Sequence, residues 1–350
     1  MKICFVVSTI DAETAGTTIL MMKKAHERGH KTYIMGVGDF NFHYDSPISI
    51  YCKEIPKTFK AKNKEDFLLK IQDEKLKKKK LCTSELDVLF LRNNPTEEPT
   101  DRHWAEHSGI AFGRMVQQSG VLVLNDAFAL SHAFIDKLYF EELPQIIKPK
   151  SIITRYKADL LDFYEQNGNK MVLKPLEGSG GQNVYLIDEN ERNLNQIIET
   201  ISEKGYVIAQ EFLPEVKEGD VRVILMNGQI LEENGSQAII RRISTREDEF
   251  RSNLSLGAKA EKARLTPEMQ RIVDITAPKL IRDGLFFVGL DIVKDKLIEI
   301  NVLSPGGLDY IQGTSLPDFT ETIIQSIEKK VEYKKFYKNS ISNRELATMK

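Results

Sequence analysis

The stretch GLDIVKDKLIEINVLSPGG, residues 289–307, constrains the fold more than any other part of the chain. From Leu297 the residues alternate, with Leu297, Glu299 and Asn301 on one face and Ile298, Ile300 and Val302 on the other. That is the period of a β-strand. The apolar GLDIV run before it reads as a partner strand, with Lys294-Asp295-Lys296 as the turn. Residues directly opposite in an antiparallel pair share a face. A three-residue loop sets Val293 against Leu297 and Asp291 against Glu299, whereas a two-residue loop sends Asp291 to the other face. The odd-numbered loop is therefore expected. Two carboxylates and an amide oxygen on one face make a hard, anionic site. Mg²⁺ takes such oxygens few at a time and shares the rest of its shell with water and phosphate.

Composition bounds the rest. With 350 residues and 41% hydrophobic content, the chain can bury a large core and form two or three compact units. Lys and Arg number 49 against 51 Asp and Glu, a formal net charge of −2, so nothing global attracts nucleic acid or an anionic membrane. Any basic site is local. Cys4, Cys52 and Cys82 are scattered, with no metal-ligand spacing, and read as reduced thiols of a cytoplasmic protein. The opening MKICFVVSTI reads as a buried first strand, because Asp11 and Glu13 end its apolar run at once. No run reaches the roughly 18 apolar residues of a membrane span.

The patterning is that of an α/β (α+β) chain. A strand at 2–8, a helix at 14–28 and a strand at 31–37 open it as a βαβ unit with parallel strands. LDVLFLR (86–92) and GVLVLN (120–125) add buried-type strands around a helix near 103–118. Residues 1–125 thus read as one open parallel α/β domain. KLKKKK (75–80) reads as a solvated helix face or loop. Beyond it come a helix at 133–143, a strand at 151–155 and a helix at 158–166. A strand–glycine loop–strand at 171–187 follows, then a helix at 193–203 and a strand at 206–213. Asn227-Gly228 signals a hairpin within 221–233. A helix at 267–283 is interrupted near Pro278, and a last helix spans 317–330. Residues 331–350 read as a weakly periodic, mobile tail.

Several short motifs carry chemistry. In KPLEGSGGQNV, Lys174 ends an apolar strand, and Gly178, Gly180 and Gly181 free the backbone to lay N–H groups against phosphate. The run is neither a P-loop nor a dinucleotide-binding turn, since a strand follows it; by itself it reads as a hairpin loop. AQEFLP (209–214) ends an apolar strand with Gln210 and Glu211; in an edge position they can offer groups to a purine, and by themselves they read as an ordinary strand end. Arginines 222, 241, 242, 246 and 251 are concentrated in one region. Guanidinium forks suit carboxylate and phosphate, and Arg222, Arg242 and Arg251 are the functional candidates among them. His103 and His107 are four apart but lack a third ligand and the HExxH acid, so they read as surface or core residues.

With these pieces in order, the chain resembles the ATP-grasp superfamily, and within it the bacterial glutathione synthetases. The resemblance is densest in VLKPLEGSGGQNV, AQEFLPEVKEGDVRVIL, RSNLSLGA and GLFFVGLDIVKDKLIEINVLSP. It implies a two-lobed ATP-grasp domain over 126–330, with a small lobe at about 133–208 and a central lobe at about 209–330. It implies that Lys137 and Lys174 hold ATP phosphates under the loop Gly178, Ser179, Gly180 and Gly181. Gln210, Glu211, Phe212 and Leu213 would meet the adenine, and Asp220 and Arg222 the reacting phosphate. Arg242, Arg251 and Asn253 would handle the acceptor carboxylate and acyl-phosphate, with Ser304 and Gly306 on the acceptor side. Asp291, Glu299 and Asn301 would ligate Mg²⁺, or Mn²⁺. Asp291→Asn or Glu299→Gln is expected to abolish ADP formation with the fold intact.

The sequence departs from the family pattern at LRNNP (91–95), which replaces a more basic segment, and in a loop about one residue longer before Arg251. It departs again at Gly306-Gly307, where a small polar pair is usual; Pro-Gly there resembles ligases that add glutamate. The implied activity is ATP-dependent joining of γ-glutamylcysteine to glycine by a ligase that works on small molecules, with neither nucleic acid nor membrane as partner and a homo-oligomeric habit. Its alternatives are ligation of another amino acid or peptide, a nucleotide-binding protein without catalysis, and a small-molecule kinase.

Overall fold

The computed structural model describes residues 1–178, 181–203, 205–245, 257–311, 314–338 and 340–350. Three sheets carry the architecture. The first has Lys31–Gly36, Lys2–Val7, Val88–Leu91 and Leu122–Leu124 side by side and parallel. Two strands unforeseen in the sequence, Phe40–His43 and Ser46–Glu54, extend it antiparallel, and Lys79–Cys82 pairs with the second of them. Part of the lysine run is therefore sheet edge, where charged side chains discourage further strand pairing.

The second sheet is antiparallel, in the order Tyr185–Ile187, Met171–Pro175, Val207–Glu211, Ser151–Thr154. Helices Lys157–Gln166 and Leu194–Glu203 bury Leu160, Phe163, Ile198 and Ile201 against it in a core of its own. The third, also antiparallel, runs Lys259–Lys262, Ile239–Ile243, Asp220–Met226, Phe287–Val293, Lys296–Asn301. The turn at Asn227-Gly228 brings Gln229–Ile230 back onto it. Helix Pro267–Arg282 packs nearby. Thr266 caps it by accepting from the Met269 N–H at 3.3 Å, and Pro267 starts it. It runs through Pro278 without the expected interruption, since buried Val273, Thr276 and Leu280 hold both sides of the proline.

The first and third sheets share their cores: Val6, Leu89 and Val123 pack in one cluster with Val223, Leu290 and Ile300. Asn125 stitches the two together. Its amide donates to the carbonyls of Phe287 (3.0 Å) and Val302 (2.7 Å) and accepts from the Phe287 N–H (2.8 Å).

The C-terminal tail is built in rather than loose. Helix Thr320–Tyr337 continues well past residue 330, and Asn343–Thr348 forms a further helix with Leu346 and Ala347 buried. Asn343 exchanges two hydrogen bonds, 2.8 and 2.9 Å, with the backbone of edge-strand residue Val123. Lys330, fully buried, donates to the Met349 carbonyl. Weak periodicity hid this docking, because a six-residue helix offers barely one turn and a half to read. Leu346→Ala is expected to cost about 2–4 kcal/mol of stability in a denaturant titration; an unchanged midpoint would mean that the tail is not part of the core.

Candidate active site

Two cavities open on the third sheet and meet at its surface. The first lies between the second and third sheets. Apolar Phe140, Val172, Ile208 and Leu213 form its walls, and Lys137 and Lys174 project into it. Lys174 sits on strand Met171–Pro175, and its Nζ reaches Gln210 Oε1 at 3.3 Å. Lys137, on helix Asp136–Glu141, donates to the carbonyls of Pro175 (2.8 Å) and Gly178 (3.0 Å), so it grips the start of the glycine-rich loop. Both ammonium groups bond neutral oxygens. Burial, with the charge of Lys137 beside it, brings Lys174 down to about 8, and burial lowers Lys137 too. Each favours the arrival of an anion. Ser179 and Gly180 lie outside the described residues; Gly178 and Gly181 line the cavity.

Val207–Glu211 is an interior strand, not an edge. Its backbone is consumed on both sides, and Glu211 Oε1 accepts from the Lys150 N–H at 2.7 Å. Beyond Glu211 the chain leaves the sheet at Phe212 and Leu213, both on the cavity wall, and the Leu213 carbonyl accepts from the Val216 N–H at 3.1 Å.

The floor is a chain of alternating charges laid across three strands. Arg242 donates to Asp220 from Nε (2.6 Å) and Nη2 (2.5 Å), and the same Nη2 lies 2.9 Å from Asp291 Oδ2. Arg222 clasps Asp291 with two hydrogen bonds, one of them 2.8 Å, and donates from Nη1 to the Gly306 carbonyl at 3.0 Å. Strand register sets this up, since Asp220 faces Arg242 and Arg222 faces Asp291. Two glycines make room for it. A Cβ on Gly289 would lie 3.2 Å from Arg222 Cδ, and one on Gly219, with φ +89°, would lie 2.2 Å from the Arg242 carbonyl oxygen. Burial opposes ionisation of Asp291, yet Arg222 and Arg242 hold its carboxyl at about 2.

Asp291 does face Glu299, though by a different route from the one expected. The loop is the two residues Lys294 and Asp295, with Lys294 at φ +54°, and Val293 pairs with Lys296. A bulge beside Asp291 then absorbs one residue and restores the alternation. It also turns Leu297 into the core, while Ile298 joins Glu299 on the cavity wall. Asn301 Nδ2 lies 3.3 Å from Asp291 Oδ2.

This donor set fits a hard divalent cation. Burial, reinforced by the charges of Asp291 and Asp136, pushes Glu299 up to about 7. A cation relieves that strain on its ionised form. Asp291 Oδ2 already meets Arg222, Arg242 and Asn301, so Oδ1, which accepts from Arg222 Nε, is the oxygen with a second lone pair to offer. Among the described residues no three acids, histidines or cysteines converge on one point, so the set is two carboxylates and one amide.

The second cavity lies between the first and third sheets. Asp136, Arg242 and Glu299 line both cavities. Ser304 Oγ is spent on the Arg92 carbonyl (3.0 Å), and the Gly306 carbonyl on Arg222. Thr17 Oγ1 accepts from the N–H groups of Gly307 and Leu308, both at 3.1 Å, and fixes the turn that replaces the usual polar pair. Arg251 and Asn253 lie outside the described residues, as does Arg246. His103 pairs with Glu106, and His107 lies against the Phe134 ring; His103 is in the 3₁₀ stretch Thr100–Ala105 and His107 is the N-cap residue of helix Ser108–Gln118, so no one helix aligns them. Sequence reasoning did not single out Glu13, Thr17, Arg92 or Asn93, which form the far wall. Their signal was position: polar residues just past the C-terminal ends of parallel strands.

Comparison with known proteins places this geometry in a family. Residues 136–315 match the prokaryotic glutathione synthetase ATP-grasp domain, and residues 1–130 match the N-terminal domain of the same synthetases. A glutathione synthetase from Gloeobacter violaceus is 30% identical over 91% of this chain and 94% of its own length. One from Thermosynechococcus vestitus is 40% identical over 58% of this chain and 62% of its own length. Among solved structures, the D-cycloserine synthetase DcsG superposes with a TM-score of 0.60 at 13% identity, covering 94% of this chain and all of that one. The macrocyclase MdnC, bound to its precursor peptide, superposes with a TM-score of 0.60 at 12% identity, covering 92% and 98%. Those two likenesses concern the fold alone. The chain belongs to the prokaryotic glutathione synthetase family.

Proposed function

We propose that this ATP-grasp ligase joins the cysteinyl carboxylate of γ-glutamylcysteine to the amine of glycine, giving glutathione, ADP and phosphate. The observation that carries the reading is the junction of the two cavities at Asp136, Arg242 and Glu299. A nucleotide in the first cavity ends its phosphate tail where an acid in the second presents its carboxylate.

The chemistry needs no enzyme nucleophile. The substrate carboxylate attacks the γ-phosphorus, ADP leaves, and the amine displaces phosphate from the acyl-phosphate. Positioning and neutralisation of charge supply the rate. Lys137 and Lys174 receive the phosphates, and Phe212 and Leu213 offer backbone to the base beside the apolar wall. Arg222 and Arg242 face the transferring group, held in place by Asp291 and Asp220. Glu299, Asn301 and Asp291 are the residues that would hold a divalent cation, Mg²⁺ in preference to Mn²⁺. A cation there supplies Lewis acidity toward phosphate oxygens. Arg251, Asn253, Ser179 and Gly180 keep the roles that the family resemblance gives them. A cytoplasmic setting, in keeping with three free cysteines, and a homo-oligomeric state belong to the same reading.

ADP release is expected only when ATP, γ-glutamylcysteine and glycine are all present. Release with other amines but not glycine would move the substrate assignment; phosphorylation without any amine would make the protein a kinase. Glu299→Gln is expected to lower turnover about 10²–10³-fold while melting like the parent.

Asp291→Asn behaves differently from the expectation drawn from sequence. It leaves two buried guanidinium groups short of a partner, so unfolding free energy should fall by about 3–5 kcal/mol along with activity. Equal melting curves for the two variants would contradict this.

The pH dependence has a definite sign. Glu299 must be ionised to hold a cation, so cation affinity strengthens as pH rises through about 7, with proton uptake by buffer. Lys174 must be protonated to hold phosphate, so nucleotide affinity of the free enzyme weakens as pH rises through about 8. Calorimetric titrations in buffers of different ionisation enthalpy measure both.

A further inference from the structure

A third cleft, of about 450 Å³, opens at the C-terminal ends of the parallel strands Lys2–Val7 and Lys31–Gly36. Open α/β sheets take ligands at such ends, and the volume suits a small molecule. The cleft shares Ser8, Thr9 and Arg102 with the second cavity and otherwise has a lining of its own.

That lining is locally basic. Residues 53–80 hold eleven lysines against five acidic residues, although the whole chain carries −2. Lys53, Lys77 and Lys78 from this segment line the cleft. Lys53 is only 7% exposed, and its ammonium bonds neutral oxygens, the carbonyls of Ile71 (2.8 Å) and Asp73 (3.3 Å). Among the described residues it has no carboxylate in contact. Burial lowers its pKa most; Asp11 and Asp73 pull the other way from a distance, and Lys78 and Lys77 add to the lowering. An arriving anion would relieve that. Asp39 already neutralises Lys78, at 2.6 and 2.7 Å, which leaves Lys53 and Lys77 as the cations to be matched. The other acids of the lining, Asp11 and Glu74, are exposed.

The cleft also holds the single tryptophan of the chain. Trp104 is 60% exposed, yet it is held. The Arg102 guanidinium carbon lies 5.3 Å from its ring centre, and a Cβ on Gly38 would lie 2.8 Å from its Cη2. The loop beside it is fixed too, because Gln72 Nε2 donates to the carbonyls of Ile10 (3.0 Å), Asp11 (3.2 Å) and Glu13 (3.1 Å). A large ring held in the open and a buried ammonium without a counter-ion are two requirements that one ligand can meet.

We propose that this cleft is a second nucleotide site, where the phosphate of a nucleoside monophosphate meets Lys53 and Lys77 and its base lies on the Trp104 indole. The charges select the ligand. A phosphate monoester carries roughly two negative charges at neutral pH, which two lysines match. A free amino acid brings one carboxylate. A triphosphate brings an excess that Asp11 and Glu74 repel. An indole platform accepts any base, because every base has a π-face.

Trp104 supplies the readout, since tryptophan emission reports this cleft alone. Titration of the whole protein with AMP should change that emission saturably, and adenosine or inorganic phosphate alone should act at concentrations at least about tenfold higher. Lys53→Met should weaken AMP about tenfold or more, and Lys77→Gln about threefold or more. Lys174→Ala, which alters the ATP cavity instead, should leave the AMP response within about twofold of the parent. Lys77 is exposed, so its variant decides the matter if Lys53→Met does not fold. An absent or unsaturable response to AMP overturns the proposal, as does equal potency of inorganic phosphate. A response that Lys174→Ala abolishes and Lys77→Gln leaves intact assigns AMP to the ATP cavity and overturns it as well.

Discussion

Arg222, Asp291, Arg242 and Asp220 form one buried, alternating row of charge, and the rest of the site is arranged around it. Removing four charges from water is expensive, and geometry alone makes it tolerable: each carboxylate meets a planar fork, and Arg222 Nη1 finds the Gly306 carbonyl. Such a row contributes little net stability compared with apolar packing. What it does provide is fixed direction. Two guanidinium groups are held rigidly, so in the proposed reaction they need not reorganise when charge develops on the transferring group.

That row sits where three strands of the third sheet lie side by side, and each cavity reaches it from a different neighbour. The second sheet, with a core of its own, roofs the nucleotide cavity. The first sheet shares its core with the third and walls the other cavity through Arg92 and Asn93. The difference in packing fits the division of labour. The lobe roofing the nucleotide cavity has a separate core, whereas the wall of the second cavity is fused to the third sheet through Asn125 and the docked tail. The lysines are the counterpart of Glu299. Burial weakens the charge of Lys174 and that of Glu299 alike, and a metal-bound triphosphate restores both.

Much of this could be read in the sequence where periodicity and chemistry coincided. Alternation placed Asp291, Glu299 and Asn301 together, whereas the glycines beside a strand-ending lysine read by themselves only as a hairpin loop. The turn was misread because Lys294, although not glycine, takes a positive φ, and the bulge that compensates leaves no mark on composition. Strands Phe40–His43 and Ser46–Glu54 went unseen because their exposed faces are polar and aromatic rather than cleanly alternating. Whether Gln210 lay on an edge or an interior strand stayed open in the sequence, because strand order within a sheet is a tertiary property. Arg92, Asn93 and Glu13 belong to segments nearly 80 residues apart, and only the parallel sheet brings them to one wall. The pairing of Arg242 with Asp220 likewise depends on a register that no local pattern encodes.

The central claim is that a cation and the nucleotide's phosphates meet on the face shared by Asp291, Glu299 and Asn301. A crystal structure with a non-hydrolysable ATP analogue and Mg²⁺ tests it most directly. The account requires electron density for the cation bonded to Glu299 and to at least one of the other two oxygens, with the γ-phosphate within reach of Arg222 or Arg242. A cation held elsewhere, with Glu299 turned from the phosphates, would contradict it.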